Sequence, residues 1–188
     1  MVAGLGNPSA DYASTRHNLG HLVVDALLER AGGTLRTHKS RQAQACEVRL
    51  GGVPGKRAVL MRAREYMNNS GGAVASLLSY YKVRPDRLIV VHDELDIPYG
   101  ELRAKFGGGD GGHNGVRSVR KALGTGDFYR VRVGIGRPPG RQDPADFVLR
   151  PFTAAERREL AVVVQRAADC VESLLADGLE RTQSTFNR

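Results

Sequence analysis

The sequence predicts an α/β protein in which a mixed, twisted β-sheet is flanked by helices on both faces. Apolar segments of strand length alternate along the chain with segments whose apolar residues fall on one helical face. The 188 residues are 41% hydrophobic and 26% charged, a composition that can build a core without disulfide or metal support. Because no linker, repeat or low-complexity tract interrupts the pattern, we expect a single domain over residues 1–188.

The first half of the chain predicts strands and helices in alternation. The predicted strands are residues 1–6, 43–50 and 56–62. The apolar faces of the predicted helices lie within residues 19–27 and 73–81. The pair Gly32-Gly33 ends the first helix, since glycine adopts the left-handed conformation that follows many helices. Residues 51–55, which contain three glycines and Pro54, are typical of a hairpin turn.

The second half continues the alternation. The predicted strands are residues 88–92, 101–106 and 129–135. The predicted helices carry apolar faces within residues 116–123 and 160–175. The run from Leu88 to Val91 is apolar throughout and is followed by charged residues, a pattern typical of a strand covered on both faces. We therefore expect this strand near the centre of the sheet.

Several classes of protein are disfavoured by the composition. The longest apolar runs fall far short of the roughly 20 residues needed to span a bilayer. Gly4, Gly6 and Pro8 interrupt any apolar segment of the kind found in a secretory signal. Two cysteines are too few for a disulfide framework and fit a reducing compartment. The sequence thus predicts a cytoplasmic protein with no membrane association.

The net charge of +8 is unevenly distributed. Residues 101–141 contain nine basic and three acidic residues, an excess of 9 − 3 = +6. A basic stripe of this kind favours a polyanionic partner, most simply a nucleic acid. The alternative is a solvated arginine-rich surface, because 23 of the 28 basic residues are arginine.

Four segments contain more asparagine, histidine and glycine than core packing requires. They are residues 4–18, 67–71, 92–96 and 107–115. Most of them follow a predicted strand, where open α/β sheets bind their ligands. The spacing Gly107-x-Gly109-x-x-Gly112 matches the dinucleotide fingerprint, but it lies in so glycine-rich a loop that the match carries little weight.

A hydrolytic centre is the chemistry that these segments favour. His17 precedes an amphipathic helix, and Asp93 could fix its tautomer as the carboxylate of a hydrolase triad does. No Gly-x-Ser-x-Gly elbow supplies a nucleophile, so His17 would activate water. Asn7, Asn68 and Asn114 could donate hydrogen bonds to a carbonyl and its developing oxyanion. Each asparagine could instead be a turn or helix-capping residue.

Metal sites are weaker interpretations of the same residues. His17 and His21 have the spacing of a zinc-binding pair, but Asn18 stands where a zinc protease has glutamate and no third ligand suggests itself. The carboxylates of Asp93, Glu94 and Asp96 could hold magnesium, although acidic clusters after strands are common in loops.

Taken together, the polar segments resemble those of the bacterial peptidyl-tRNA hydrolase family, in the family's order and at its spacing from Met1 to the end of the chain. The matching blocks are residues 4–8, Tyr12, 15–18, Met67-Asn68, Ser70-Gly71, 92–96, 111–115 and 132–136, with a tail at 177–180 and Asn187. Any single block is weak support, whereas the whole set in order is highly specific.

The resemblance implies a cofactor-free and metal-free cytoplasmic esterase, monomeric and without an obligate protein partner. Such an enzyme cleaves the ester between a nascent peptide and the 3′-terminal ribose of tRNA, and so recycles tRNA from aborted translation. By motif, His17 matches the catalytic base and Asp93 the residue that orients it. Further matches concern substrate binding. They are Asn7, Asn68 and Asn114 for the peptide and reacting carbonyl, Tyr12, Met67 and His113 for the pocket lining, and Lys105 and Arg132 for the tRNA 5′-phosphate region.

Some positions depart from the family pattern, and two other functions stay open. Ser9 and Asp110 stand where the family usually has other residues, and residues 62–65 replace a proline-threonine stretch. The main alternative is a non-catalytic RNA-binding or splicing-adaptor protein on the same fold. A further alternative is a metal-dependent nuclease built on the carboxylates of residues 93–96.

Overall fold

A computed structural model describes all residues, 1–188, and contains one mixed sheet of seven strands. The strands are β1 (Val2–Gly4), β2 (Arg36–Thr37), β3 (Ala43–Leu50), β4 (Lys56–Ala63), β5 (Ile89–Glu94), β6 (Leu102–Phe106) and β7 (Tyr129–Gly134). Their order across the sheet is β2-β3-β4-β1-β5-β7-β6. The strand predicted around Leu88–Val91 is therefore central, as expected.

Six α-helices cover the sheet. They are α1 (Leu19–Ala31), α2 (Ser70–Tyr81), α3 (Asn114–Leu123), α4 (Pro144–Val148), α5 (Ala154–Asp177) and α6 (Leu179–Phe186). Gly32 ends α1 with φ of +63°, the left-handed conformation predicted for that position. No helix combines the length and the apolar character needed to cross a bilayer.

The sheet separates two apolar layers, which confirms the prediction of helices on both faces. One layer joins α1 and α5 to the sheet through residues such as Leu19, Leu27 and Val171. The other joins α2 and α3 to the opposite face through residues such as Leu77 and Val119. All of these side chains are essentially inaccessible to solvent.

Three short elements were not predicted. Strand β2 has two exposed residues, too few for a periodic pattern. Helix α4 has five residues and begins with Pro144 after the capping carboxylate of Asp143. Helix α6 is mostly polar, and Asn187 just beyond it exchanges hydrogen bonds of 2.6 and 2.9 Å with the backbone of Ala104. This contact covers the outer edge of β6, which would otherwise offer unpaired backbone groups.

Strands β1, β4, β5 and β7 run parallel, so their carboxyl ends meet at one edge of the sheet. Helix α1 approaches this edge very closely. A Cβ on Gly4 would lie 2.2 Å from the carbonyl oxygen of Gly20, and a Cβ on Gly20 would lie 2.4 Å from that of Val91. The absence of side chains at both positions lets the start of α1 rest directly on β1 and β5.

Candidate active site

Loops at the carboxyl edge of the sheet bring the predicted catalytic pair together. His17 lies in a 3₁₀ turn (Arg16–Asn18) that leads into α1, and Asp93 is near the end of β5. The Nδ1 atom of His17 lies 3.0 and 2.9 Å from Oδ1 and Oδ2 of Asp93. Both residues are buried, with 8% and 3% of their surfaces exposed. The pairing predicted from the motifs is therefore present.

This contact settles which imidazole nitrogen is free. Because the carboxylate of Asp93 can only accept, Nδ1 of His17 carries the proton and donates a hydrogen bond to it. Nε2 then keeps its lone pair. Burial alone would lower the pKa of His17, but the charge and hydrogen bond of Asp93 outweigh it and raise the pKa above its usual value of 6.5. Nε2 therefore belongs to a ring of increased basicity.

Asp93 also accepts a second hydrogen bond that the sequence did not predict. Nε2 of His113 lies 2.9 Å from its Oδ1. The Nδ1 atom of His113 accepts from the backbone N–H groups of Gly115 and Val116 at 3.1 and 3.3 Å, so His113 is the N-cap of α3. A neutral ring that accepts at Nδ1 must donate from Nε2. His113 thus ties the carboxylate to the first turn of a helix.

The two rings act on the ionisation of Asp93. Burial raises the pKa of this carboxyl group, but the charge of His17 and the hydrogen bonds from both imidazoles lower it to well below its usual range. Asp93 is therefore a carboxylate at neutral pH, which the orientation of His17 requires.

Asn7 is held in one orientation by its neighbours. Its Oδ1 accepts from the backbone N–H of Met67 at 2.8 Å. Its backbone N–H donates to Oδ1 of Asn18 at 2.8 Å, and Nδ2 of Asn18 returns a bond of 2.9 Å to its carbonyl. These contacts leave Nδ2 of Asn7 as a donor with no partner in the protein. Asn18 was not predicted to have a role, although it lies in the same motif as His17.

The other two predicted asparagines differ from Asn7 in their exposure to solvent. Asn68 and Asn114 are exposed, and neither caps a helix through its side chain. Asn114 accepts from Nη1 of Arg117 at 3.2 Å, whereas Asn68 forms no side-chain hydrogen bond. The structure therefore does not support the helix-capping alternative for these two residues.

A cavity of about 290 Å³ opens at His17 and Asp93. Its walls are formed by His17, Asp93, Glu94, Leu95, Gly111, Gly112, His113, Asn114, Asp143, Pro144, Ala145 and Val148. Helix α4 thus forms one wall. Asn7, Met67 and Asn68 do not line this cavity, and neither does Tyr12, which packs edge-on against Tyr66 with ring centroids 6.4 Å apart. Met67 is buried beside Gly115, where an added Cβ would lie 2.4 Å from its sulfur.

The histidines and carboxylates that the sequence offered as metal ligands lie in different surroundings. His21 is buried against Gly6, away from Asp93, and burial together with Arg62 lowers its pKa to about 3. Asp96 is exposed and paired with Arg137. Potential ligand atoms of His17, Asp93 and His113 do lie within 4.8 Å of one another. However, a neutral His113 could bind metal through Nε2 only by giving up the two bonds that cap α3.

A second cavity, of about 130 Å³, is lined by seven basic and acidic residues and two glycines. They are His92, Glu94, Asp96, Lys105, Gly109, Asp110, Gly111, Arg130 and Arg132. Lys105 lies opposite Arg130 in the β6–β7 ladder, two pairs along from Arg132. Burial, with the charges of Arg132 and Arg130, lowers the pKa of Lys105. The predicted pair Lys105 and Arg132 is therefore brought together, in a cavity that shares Glu94 and Gly111 with the first.

Arg130 holds the glycine-rich loop against this basic face. It is 2% exposed and donates to the carbonyl oxygens of Gly108, Gly109 and Gly126. Burial and the neighbouring arginines lower its pKa to about 10. Asp110 fastens the same loop to α3 through Arg117 and Arg120. The sequence placed Arg130 in the basic stripe but could not separate it from the exposed arginines.

Comparisons with known proteins agree on the family of this chain. The family model described as peptidyl-tRNA hydrolase matches residues 1–188. A peptidyl-tRNA hydrolase of Frankia casuarinae is 61% identical over 100% of this chain and 93% of its own length, and one of Mycolicibacterium smegmatis is 54% identical over 100% and 96%.

A solved structure extends the agreement to three dimensions. The crystal structure of peptidyl-tRNA hydrolase from Acinetobacter baumannii matches with a TM-score of 0.86 and 32% identity, and the match covers 99% of this chain and 91% of that one. The chain described here belongs to the peptidyl-tRNA hydrolase family.

Proposed function

We propose that His17 is the general base with which this protein hydrolyses the ester of peptidyl-tRNA. The observation that carries the proposal is the contact between Nδ1 of His17 and the carboxylate of Asp93. Because a carboxylate only accepts, the ring proton belongs on Nδ1, and the Nε2 lone pair can accept a proton from water. The activated water attacks the ester carbonyl, and the proton held at Nε2 then passes to the departing ribose oxygen.

Asn7 and Asn114 are the amides that we propose to hold the reacting carbonyl and the peptide. Asn7 is the better suited to an oxyanion, because its amide is fixed before substrate binds and its Nδ2 donor has no protein partner. Asn114 lines the catalytic cavity. We extend the same role to Asn68, and that of pocket lining to Tyr12, Met67 and His113, on the family resemblance.

The test of the whole function is release of tRNA from an N-blocked aminoacyl-tRNA, run beside the same tRNA with a free amino group. We expect cleavage of the blocked substrate alone. Tight tRNA binding without cleavage of either substrate would favour the non-catalytic RNA-binding adaptor. Cleavage of internal phosphodiester bonds that stops on addition of a chelator would favour the metal-dependent nuclease.

The pH dependence follows from the raised pKa of His17. The base acts only when it is deprotonated, so kcat/KM should rise with pH through an apparent pKa above 6.5 and then level off. The stability that the protonated ring gains from Asp93 has the opposite sense, being present below the unfolded pKa and lost as pH rises through the folded pKa. A kcat/KM profile from about pH 5 to 9 measures the first effect. A profile that falls with pH over this range would contradict the assignment of His17 as base.

Lys105 and Arg132 are proposed to contact tRNA phosphate groups. Such contacts position a substrate without reading its sequence, which suits an enzyme that accepts many tRNAs. Replacing both by alanine should raise KM more than it lowers kcat. The slope of log affinity against log salt should become shallower, by the amount that corresponds to the loss of roughly one to two phosphate contacts.

The matched control for this pair is Arg57→Ala. Arg57 lies on β4, and its side chain is 80% exposed. This variant should leave KM and the salt slope unchanged. An unaltered slope in the Lys105 and Arg132 double variant would remove both residues from the tRNA site.

We further propose that the protein acts as a monomer in the cytoplasm, as the resemblance to the family implies. Light scattering across a range of protein concentrations tests the oligomeric state. A mass near 20.4 kDa at all concentrations is expected.

A further inference from the structure

Arg16, the residue before the proposed base, is buried among more partners than its position in a surface turn would require. It is 3% exposed, and its guanidinium forms a bidentate pair with Glu156 at 3.1 and 2.7 Å. The remaining nitrogen, Nη1, donates to the carbonyl oxygens of Phe147, Arg150 and Pro151 at 3.3, 3.3 and 3.1 Å. The guanidinium carbon also lies 4.1 Å from the centre of the Phe147 ring.

These contacts fasten the turn that carries His17 to the carboxyl end of α4. The three carbonyl oxygens belong to the last turn of α4 and the residues that follow it. That of Phe147 also accepts from the backbone N–H of Arg150, and that of Arg150 from the backbone N–H of Arg16, each at 3.2 Å. The amino end of the same helix, with Asp143, Pro144 and Ala145, lines the catalytic cavity together with His17. One side chain therefore connects two walls of that cavity.

We propose that Arg16 is a positioning residue that sets the separation between His17 and the α4 wall of the catalytic cavity. The proposal rests on the assignment of His17 as the base. The planar fork of arginine suits this task because it binds a carboxylate and several carbonyl groups at fixed angles. A lysine would keep the charge but could not make the same set of bonds.

Stability alone is a poor explanation for this arrangement. A buried ion pair costs so much in desolvation that well-packed apolar side chains often give equal or greater stability. What the ion pair adds is a defined geometry, since Glu156 is itself fixed by a capping box with Thr153 at the start of α5. The guanidinium is thereby anchored at one end and directs its other face to α4.

The experiment compares Arg16→Lys with Arg30→Lys. Arg30 joins α1 to the same helix α5 through Asp169 and Glu172, but it lies away from the catalytic cavity. We expect Arg16→Lys to lower the single-turnover cleavage rate at saturating enzyme at least about tenfold, with tRNA affinity nearly unchanged. Arg30→Lys should lower the melting temperature without changing that rate. Both are measured where circular dichroism shows the variants fully folded.

Two further variants keep the test decisive. Glu156→Gln retains a capping-box residue, because glutamine serves at this position as glutamate does, but it removes the charge that holds Arg16. Glu156→Gln should also lower the cleavage rate, and it provides the test if Arg16→Lys fails to fold. In Arg16→Ala, added guanidinium ion should restore part of the rate.

The outcomes separate this inference from the assignment of His17. Wild-type cleavage rates in both Arg16→Lys and Glu156→Gln would overturn the positioning role alone. So would a rate loss in Arg30→Lys as large as that in Arg16→Lys at the same decrease in melting temperature. High activity in a His17→Ala variant would instead overturn the assignment of the base.

Discussion

A His17→Ala variant is expected to lose about 10²- to 10⁴-fold in turnover while binding tRNA almost as tightly as the wild type. The lost imidazole acts on water and touches no phosphate group in the proposed site. Its removal therefore slows the chemical step and leaves tRNA binding nearly unchanged. Single-turnover cleavage of an N-blocked aminoacyl-tRNA measures the loss. Filter binding of the deacylated tRNA measures the affinity.

The control for this variant is His38→Ala, which removes a histidine that follows the edge strand β2, contacts Ser40 and Tyr80, and lines neither cavity of the candidate site. It should cleave at the wild-type rate. If His17→Ala binds tRNA poorly but still cleaves what it binds, then His17 contributes to binding and another group activates the water.

An Asp93→Asn variant should be impaired to a similar degree, about 10²- to 10⁴-fold, through a different cause. Asparagine keeps the shape of the side chain, but its amide nitrogen donates where the carboxylate only accepts. With His113 donating to the remaining oxygen, the amide nitrogen faces Nδ1 of His17 and favours the tautomer with its proton on Nε2. That tautomer cannot accept a proton from water.

The same variant makes a second prediction through the pKa of His17. The negative charge that raises this pKa is removed, so the residual activity should reach its plateau at lower pH than the wild type. Asp86→Asn, at an exposed carboxylate paired with Arg84, should change neither the rate nor the profile. Retention of most of the wild-type turnover in Asp93→Asn would show that the carboxylate does not control the tautomer.

The sequence predicted the sheet well because its strands and helices bury continuous apolar faces. The alternation at residues 43–50 reflects a strand that lies between the two apolar layers, and the pattern at residues 73–81 reflects a helix buried against one of them. Helix α4 escaped prediction for the opposite reason. Its five residues are specified by the Asp143 cap and by Arg16, which is distant in sequence, and not by a periodic apolar face.

Some residues of the candidate site could likewise be predicted from the sequence, and others could not. Residues such as His17 and Asp93 could be singled out because their chemistry is unusual in a core. The contact of Asp93 with His113, its second imidazole partner, depends on how α3 begins. The fixed orientation of Asn7 depends on the backbone N–H of Met67 in another loop. Arg130 and Arg16 were indistinguishable from surface arginines, since burial of a charge becomes visible only when its carbonyl partners are placed around it.

The close approach of α1 to the sheet bears on how freely the core of this protein can change over evolutionary time. At Gly4 and Gly20 the contact is backbone against backbone. It joins the start of α1, just after the turn that carries His17, to strand β1 and to strand β5, which carries Asp93. Side chains elsewhere in the two apolar layers can be exchanged and repacked without entering that contact. Substitutions in the core therefore need not change the distance between His17 and Asp93. The two glycines themselves can hardly be replaced, because any side chain there would clash with backbone atoms.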